Sequence, residues 1–166
     1  NKESNMTGEQ VKFANTIYSS GCDLLALINE ILDLSKVEAG KMPIVPRDVK
    51  VPEICEYLEH SFRPAANHKS LGFNIDSSPD VSTLVVNTDV TRVQQILKNL
   101  LSNAFKFTEQ GKVTLRIHPN HKTKQIVFAV TDTGIGIPKD KQNLIFEAFP
   151  QADGTTHRKY GGTGLG

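Results

Sequence analysis

Two asparagines and a lysine recur at helical spacing near the middle of the chain. Asn99, Asn103 and Lys106 stand at positions i, i+4 and i+7 of the segment NLLSNAFKFT, so they would share one face of an α-helix. Amide oxygens can ligate a hard cation, and Mg²⁺ bound to a nucleotide keeps several waters and takes few protein ligands. Lys106 would bring positive charge to phosphate oxygens. A single mid-helix asparagine is more often structural, but two on one face beside a lysine favour a phosphate and magnesium site.

A segment that contains two glycines, DTGIGIP, follows at residues 132–138. It interrupts the apolar run IVFAVT, which indicates a strand, and Gly134 and Gly136 allow the backbone to approach a ligand closely. Asp132 stands at the end of this predicted strand, where its carboxylate could accept a hydrogen bond from the exocyclic amine of adenine. We therefore expect a nucleotide base at this segment.

A second glycine-rich segment, YGGTGLG, occupies residues 160–166. A backbone with few side chains can turn its amide groups toward a polyphosphate, although glycine-rich loops are common and this signal is weak alone. The polar stretch before it contains Arg158 and Lys159. Arg158 is the better phosphate ligand because a guanidinium binds bidentately, with a solvated surface cation as an equal alternative.

The order and spacing of these segments resemble the N, G1 and G2 boxes of the histidine-kinase catalytic domain, and IFEAF at 145–149 resembles its F box. That domain belongs to the superfamily of gyrase, chaperone, histidine-kinase and mismatch-repair ATPases. The resemblance implies an α+β fold, a two-layer α/β sandwich of the Bergerat type, that binds ATP and Mg²⁺. It implies that Asn103 ligates the metal. It places the nucleotide against Asn99, Asn103, Lys106, Phe107, Asp132, Gly134, Gly136, Ile137, Arg158, Lys159, Gly162, Thr163, Gly164, Leu165 and Gly166.

Phe107 and Asn99 allow more specific expectations. Phe107 would lie against adenine, with core filling at a helix end as an equal alternative. Asn99 stands where the hydrolysing branches of the superfamily place a glutamate that activates water as a general base, and an amide cannot accept that proton. The resemblance therefore implies a chain that keeps ATP for transfer of its γ-phosphoryl group to a histidine, as in a two-component sensor histidine kinase.

Two other functions remain open. An inactive kinase-like module that regulates another sensor kinase is disfavoured by the complete set of box residues, and a self-sufficient ATPase is opposed by Asn99. The phosphoacceptor histidine itself is not expected in this chain. HSFRP at 60–64 resembles the acceptor pattern, but Ser61 replaces the acidic neighbour, the proline comes one position early, and His60 follows the long helix that the acceptor should precede. We expect no autophosphorylation by the chain alone.

The N-terminal part predicts one long helix over residues 7–39, which contain no proline. Its apolar stripe, at alternating spacings of three and four, comprises Val11, Ala14, Tyr18, Gly21, Leu25, Ile28 and Leu32. Thr7 with Gln10 predicts a capping box, and Gly40 a C-terminal stop. Residues 23–41 resemble the second dimerisation helix of hybrid sensor kinases, with an ordinary core helix as the alternative.

We therefore assign residues 1–40 to the C-terminal part of a dimerisation and phosphotransfer hairpin, and residues 41–166 to an ATP-binding domain that is truncated at its C-terminal end. Turn residues and periodicity predict, in order, an extended piece at 42–45, a helix at 52–68 and a strand at 72–76. A long helix capped by Asp89 follows. Two further strands, at 112–118 and 125–131, are joined by a hairpin loop at 119–124. The implied partners are a second copy, through a helical bundle, and a response regulator or receiver domain.

Composition argues against nucleic-acid-binding, membrane-spanning and secreted classes of protein. Nineteen basic and 18 acidic side chains leave a formal net charge of +1, so nothing indicates nucleic acid as a partner. No apolar run approaches the roughly 18 residues of a membrane span, and the N-terminal segment does not resemble a secretory signal. Cys22 and Cys55 lie in separate predicted helices, so we expect buried thiols and a reducing cytoplasm, with any membrane anchor of the parent kinase outside this chain.

Overall fold

The computed structural model of the chain describes residues 5–142, and the side chains of Asp23 and Glu30 are not described. These residues form two compact units, the first ending at Pro43 and the second beginning at Ile44. No helix in this part of the chain combines the length and apolar character that crossing a membrane requires.

The first unit consists of one long helix, α1 (Gly8–Glu38). The predicted capping box is confirmed: the Gln10 amide donates to Thr7 Oγ1 at 3.3 Å, and the Thr7 amide donates to Gln10 Oε1 at 2.8 Å. Gly40, just beyond the helix, adopts the left-handed conformation at φ +63°. Much of the predicted stripe is exposed, including Tyr18, Leu25 and Leu32. The helix therefore carries an uncovered apolar face.

The second unit is an α+β assembly, as predicted. Its helices and strands run in the order β1 (Arg47–Lys50), α2 (Val51–Lys69), β2 (Gly72–Ser77), β3 (Val85–Thr88), α3 (Val90–Phe107), β4 (Lys112–Asn120) and β5 (Gln125–Asp132), with short 3-10 turns at Pro79–Val81 and Lys139–Lys141. Strands β1 and β3 pair antiparallel. Strand β4 is central in a three-stranded mixed sheet, parallel to β2 and antiparallel to β5.

The core lies where α2 and α3 pack on one face of the three-stranded sheet. Alternate residues of β4 point into it: Val113, Leu115 and Ile117 are each at most 1% exposed. Facing them from the helices are Ile54, Leu58, Leu97, Leu101, Ala104 and Phe105. Each large side chain buried in this way contributes about 1.5 to 3 kcal/mol, which fixes α3 on the sheet.

The structure corrects three sequence expectations. The extended piece expected at residues 42–45 is not a strand; the strand in this region is β1, at Arg47–Lys50. Its partner strand β3 was not predicted. The hairpin loop is shorter than expected because β4 continues through Pro119 and Asn120, where Asn120 pairs with Gln125. Cys22 is exposed, not buried, while Cys55 is half-buried and its pKa is raised, chiefly because burial disfavours the thiolate.

Candidate functional site

Helix α3 begins at a carboxylate that binds two parts of the backbone. Asp89 is the N-cap: its Oδ1 accepts hydrogen bonds from the amides of Thr91 at 3.0 Å and Arg92 at 3.3 Å. Its Oδ2 accepts one from the Val45 amide at 3.0 Å, so the segment before β1 is tied to the start of α3. The Val45 bond is the main cause that lowers the pKa of Asp89 from its ordinary value.

The polar face predicted for this helix is present on α3. Asn99, Asn103 and Lys106 are all half-buried, whereas Leu97 and Leu101 on the other side are buried in the core. Burial of the apolar face sets the rotation of the helix about its axis, and this rotation leaves the two amides and the ammonium accessible from outside the core. The half-buried Phe107 ends the helix, and Lys106 Nζ lies 5.3 Å from the centre of its ring.

The C-terminal end of α3 is joined to the DTGIGIP segment by the backbone. The Ile135 amide donates a hydrogen bond to the Phe107 carbonyl oxygen at 3.3 Å. At Gly134 the approach is so close that a Cβ atom would collide with that same carbonyl and lie 2.8 Å from Asp132 Oδ1. The two segments that the sequence predicted for phosphate and for adenine therefore meet at this helix end.

Asp132 is placed by the sheet register. It pairs with Val113, so its side chain points to the same face of the sheet as that buried valine, the face that α2 and α3 cover. The Gly134 amide donates to Asp132 Oδ1 at 2.8 Å, which holds one carboxylate oxygen and fixes the orientation of the group. Asp132 itself is exposed at the end of β5. An exposed and oriented carboxylate of this kind can accept a hydrogen bond from a ligand amine.

Thr133 holds this loop against the turn that leads from α3 into β4. Its hydroxyl accepts from the Lys112 amide at 3.0 Å and lies 3.2 Å from the Gln110 carbonyl, to which it donates. Gly111 is required beneath it, because its φ is +104° and a Cβ there would collide with Thr133 Oγ1. Sequence reasoning missed Thr133, since its partners are more than 20 residues away. Gly111, which the sequence marks only as a turn residue, was the available signal of a close approach.

The comparisons with known proteins add to this geometry. Residues 88–166, which begin one position before the Asp89 cap, match the family described as histidine kinase-, DNA gyrase B- and HSP90-like ATPases. Residues 88–166 are therefore similar to this ATPase family. The match includes α3 and the DTGIGIP loop, so the polar helix face and the exposed aspartate lie within the ATPase domain.

The relatives of this ATPase domain are sensor histidine kinases. The autoinducer 2 sensor kinase/phosphatase LuxQ of Vibrio cholerae is 40% identical over 167 residues, which cover 99% of this chain and 19% of LuxQ. The circadian input-output histidine kinase CikA of Synechococcus elongatus is 40% identical over 162 residues, covering 97% of this chain and 21% of CikA. The chain thus spans about a fifth of the length of either relative.

A solved structure shows the same fold. Full-length ShkA in complex with AMPPNP superposes with a TM-score of 0.77 at 30% identity, over 99% of this chain and 34% of ShkA. The similarity covers both the long N-terminal helix and the α+β unit, because it extends over nearly the whole chain. The predicted fold is therefore confirmed.

Several predicted site residues lie outside the described residues: Arg158, Lys159, Gly162, Thr163, Gly164, Leu165 and Gly166, together with the IFEAF segment. Of the predicted residues within the ATPase domain that are described, Gly136 and Ile137 lie in the exposed part of the loop. Gly136 has φ +68° and open space around it, so its backbone conformation favours glycine although no steric contact excludes a side chain.

The donor set of the ATPase domain fits a cation that arrives with a nucleotide. Asn99 and Asn103 offer neutral amide oxygens on an accessible helix face, and Mg²⁺ on a nucleotide takes only one or two protein ligands. Within the described residues no three or more His, Cys, Asp or Glu side chains cluster so that they could hold a metal ion. The residues present therefore suit a metal that is mainly coordinated by phosphate and water.

Proposed function

We propose that this chain is the ATP-binding catalytic part of a protein histidine kinase, which transfers the γ-phosphoryl group of MgATP to a histidine outside this chain. The observation that carries the proposal is the hydrogen bond from the Ile135 amide to the Phe107 carbonyl, because it joins the phosphate-type helix end to the adenine-type loop. Similarity to sensor kinases over nearly the whole chain supports the same reaction.

Each residue has a distinct part in this proposal. Asp132 accepts a hydrogen bond from the adenine amine, with its carboxylate held by Gly134, and Phe107 lies against the base. Lys106 contacts phosphate oxygens, since its ammonium lies at the same helix end. Arg158, Lys159 and the YGGTGLG segment complete the phosphate contacts. Phosphoryl transfer needs little covalent help from the protein, so positioning and charge stabilisation are the main contributions of this chain.

The asparagines of α3 account for the metal and for the fate of ATP. Asn103 would ligate Mg²⁺ through its amide oxygen, and Asn99 would bind the phosphates or the water shell of the metal. Bound Mg²⁺ neutralises the charge of the phosphates. Because Asn99 cannot take a proton from water, the bound ATP should be hydrolysed slowly and remain available for a histidine nucleophile.

The two units have separate tasks in the parent protein. We infer that residues 1–40 belong to a dimerisation hairpin and residues 41–166 to the ATP-binding domain. The exposed side chains of Leu25, Ile28 and Leu32 would be covered by helices of a dimeric four-helix bundle. A response regulator or receiver domain would then take the phosphoryl group from the histidine.

Calorimetric titration of the 166-residue chain with ATP, with and without Mg²⁺, tests the nucleotide site. Asn103→Ala should abolish most of the Mg²⁺-dependent gain in affinity. Asn74→Ala is the matched control, since Asn74 is an exposed asparagine on β2, away from α3, and its removal should change nothing. Equal Mg²⁺ dependence in the parent chain and in Asn103→Ala would remove Asn103 from the site.

The kinase reaction needs a second measurement. The chain should transfer phosphate from radiolabelled MgATP to a separate polypeptide that carries the acceptor helix, giving acid-labile, base-stable label. Binding of ATP without any transfer would instead favour the alternative of an inactive regulatory module. Rapid release of free phosphate without an acceptor would favour a self-sufficient ATPase.

A further inference from the structure

Phe105, in the last turn of α3, is held by its ring. The ring stacks on Phe62 of α2, with centroids 5.6 Å apart and an interplanar angle of 8°. It also meets Phe73 of β2 edge to face at 5.4 Å. Since Phe105 is only 4% exposed, its side chain fixes this turn of the helix to both neighbouring elements.

The carbonyl of the same residue is held by a lysine from another helix. Lys69, the last residue of α2, donates a hydrogen bond from Nζ to the Phe105 carbonyl oxygen at 2.7 Å. In a longer helix this oxygen would bind the amide of residue 109, but α3 ends at Phe107 and Thr108 has extended backbone. The ammonium therefore satisfies a carbonyl that α3 leaves unpaired, at the negative end of the helix dipole.

Lys69 starts from a well-fixed backbone. Ser70, which follows it, adopts the left-handed conformation at φ +54° and caps α2. The Ser70 amide donates to the Asn67 carbonyl at 3.1 Å, and the amide of buried Leu71 donates to the Ala66 carbonyl at 3.0 Å. Because these bonds hold the chain on the C-terminal side of Lys69, the backbone from which its side chain extends to α3 is fixed in position.

We propose that Lys69 is a positioning residue for the nucleotide site, which fixes the last turn of α3 through the Phe105 carbonyl and so sets the places of Lys106 and Phe107. The inference rests on the proposed ATP site. Lys106 and Phe107 follow directly on Phe105, and the Phe107 carbonyl is the oxygen that binds the DTGIGIP loop. Two carbonyls in the last turn of α3 are thus held from outside the helix: Lys69 of α2 binds the Phe105 carbonyl, and the DTGIGIP loop binds the Phe107 carbonyl. If the lysine bond is lost, the turn that should meet the phosphates is held by the loop and the Phe105 ring alone.

Substitution of Lys69 tests this role by calorimetric titration with MgATP. Lys69→Met keeps the apolar stem but removes the ammonium and with it the charge-assisted hydrogen bond. We expect MgATP binding to weaken by roughly threefold to tenfold, because part of the free energy of that bond should be lost from binding. Lys69→Arg keeps a cationic donor and should recover most of the affinity. Lys50→Met, which removes an exposed lysine at the opposite end of α2, should leave the affinity unchanged.

Three outcomes are distinguishable when unfolding midpoints are measured on the same variants. Weaker binding in Lys69→Met with recovery in Lys69→Arg supports the inference, and the Thr108 amide, which donates to the Ala104 carbonyl, should then exchange its hydrogen faster in Lys69→Met. A lower midpoint with unchanged MgATP affinity would overturn it, since Lys69 would then act on stability alone. Failure of the folded parent chain to bind MgATP would overturn the proposed function and this inference with it.

Discussion

Gly134 is the residue at which the loop after β5 touches the end of α3. A Cβ atom there would collide with the Phe107 carbonyl, so Gly134→Ala must push the loop and the helix end apart. We expect a loss of roughly 1 to 3 kcal/mol in the free energy of unfolding, the usual cost of forcing extra volume into a packed contact. Urea denaturation measures this loss.

Gly136→Ala is the control for this substitution. Gly136, unlike Gly134, has a positive φ, and no atom lies within 4 Å of the position its Cβ would take. It should therefore show only the conformational cost of a left-handed alanine, about 1 kcal/mol. A loss for Gly134→Ala no larger than the loss for Gly136→Ala would mean that the collision with the Phe107 carbonyl costs no more than a left-handed alanine.

Asp132 should select the base of the nucleotide. Its carboxylate, held by the Gly134 amide, can accept a hydrogen bond from the amine of adenine and repels the carbonyl that guanine carries at the same place. We expect the parent chain to prefer ATP over GTP by about tenfold or more, since a hydrogen bond to a charged group is worth about 1.5 to 3 kcal/mol. Competition titrations of Asp132→Ala should show no preference, and equal binding of the two nucleotides by the parent chain would remove this role.

Asp89 makes a pH-dependent contribution to stability. Hydrogen bonds from the amides of Val45, Arg92 and Thr91 lower its pKa in the folded chain, so folding favours the carboxylate. The stabilisation is therefore present above the pKa of an unfolded aspartate, about 3.9, and is lost as the pH falls through the lower folded pKa. In unfolding experiments from pH 7 to pH 3, the advantage of the parent chain over Asp89→Asn should shrink below about pH 4. An advantage that stays constant to pH 3 would contradict this.

The residues that sequence reasoning found are those with near partners or strong periodicity. Thr7 and Asp89 were predicted as helix caps because their partners lie within three positions along the chain. Lys69 and Thr133 were not predicted, because Lys69 bonds a carbonyl 36 positions away and Thr133 a segment 21 positions away. No local pattern marks such bonds, which exist only once the sheet register is set.

Helices and strands, like single residues, were predicted where the local sequence pattern is strong and missed where distant contacts set the structure. The predicted helices are present, because each carries several turns of a periodic apolar face. Helix α2 agrees with its expected bounds to within one residue, and α3 begins directly after the expected Asp89 cap. Strands β1 and β3 were missed, since each has four residues and the paired residues lie 35 to 41 positions apart along the chain, from Lys50 with Val85 to Arg47 with Thr88. Their interior pairs, Asp48 with Asn87 and Val49 with Val86, mix polar and apolar residues without a long alternation.

Helix α1 should drive self-association once its partner helix precedes it. Leu25 and Leu32 are more than half exposed, and burial of each is worth about 1.5 to 3 kcal/mol, so several such residues per copy can outweigh the entropy cost of association. Leu25→Glu with Leu32→Glu should give monomers that still bind nucleotide, because the proposed site lies in the other unit. Thr16→Glu with Ser19→Glu, on the opposite face of α1, is the control and should stay dimeric. Sedimentation decides, and a dimeric leucine variant would place the interface elsewhere.

On the scale of the whole molecule, binding of ATP and acceptance of its phosphoryl group should be separable. His60 is exposed on α2, and the hydroxyl of its neighbour Ser61 donates to the Tyr57 carbonyl at 2.8 Å, so Ser61 gives the imidazole no acidic partner that could orient it or take its proton. We expect the 166-residue chain to bind MgATP yet to gain no acid-labile label from radiolabelled ATP. His60→Ala is the control and should behave as the parent chain does. Acid-labile, base-stable label on the parent chain that disappears in His60→Ala would make this histidine the acceptor and would contradict the assignment of the acceptor to another part of the proposed kinase.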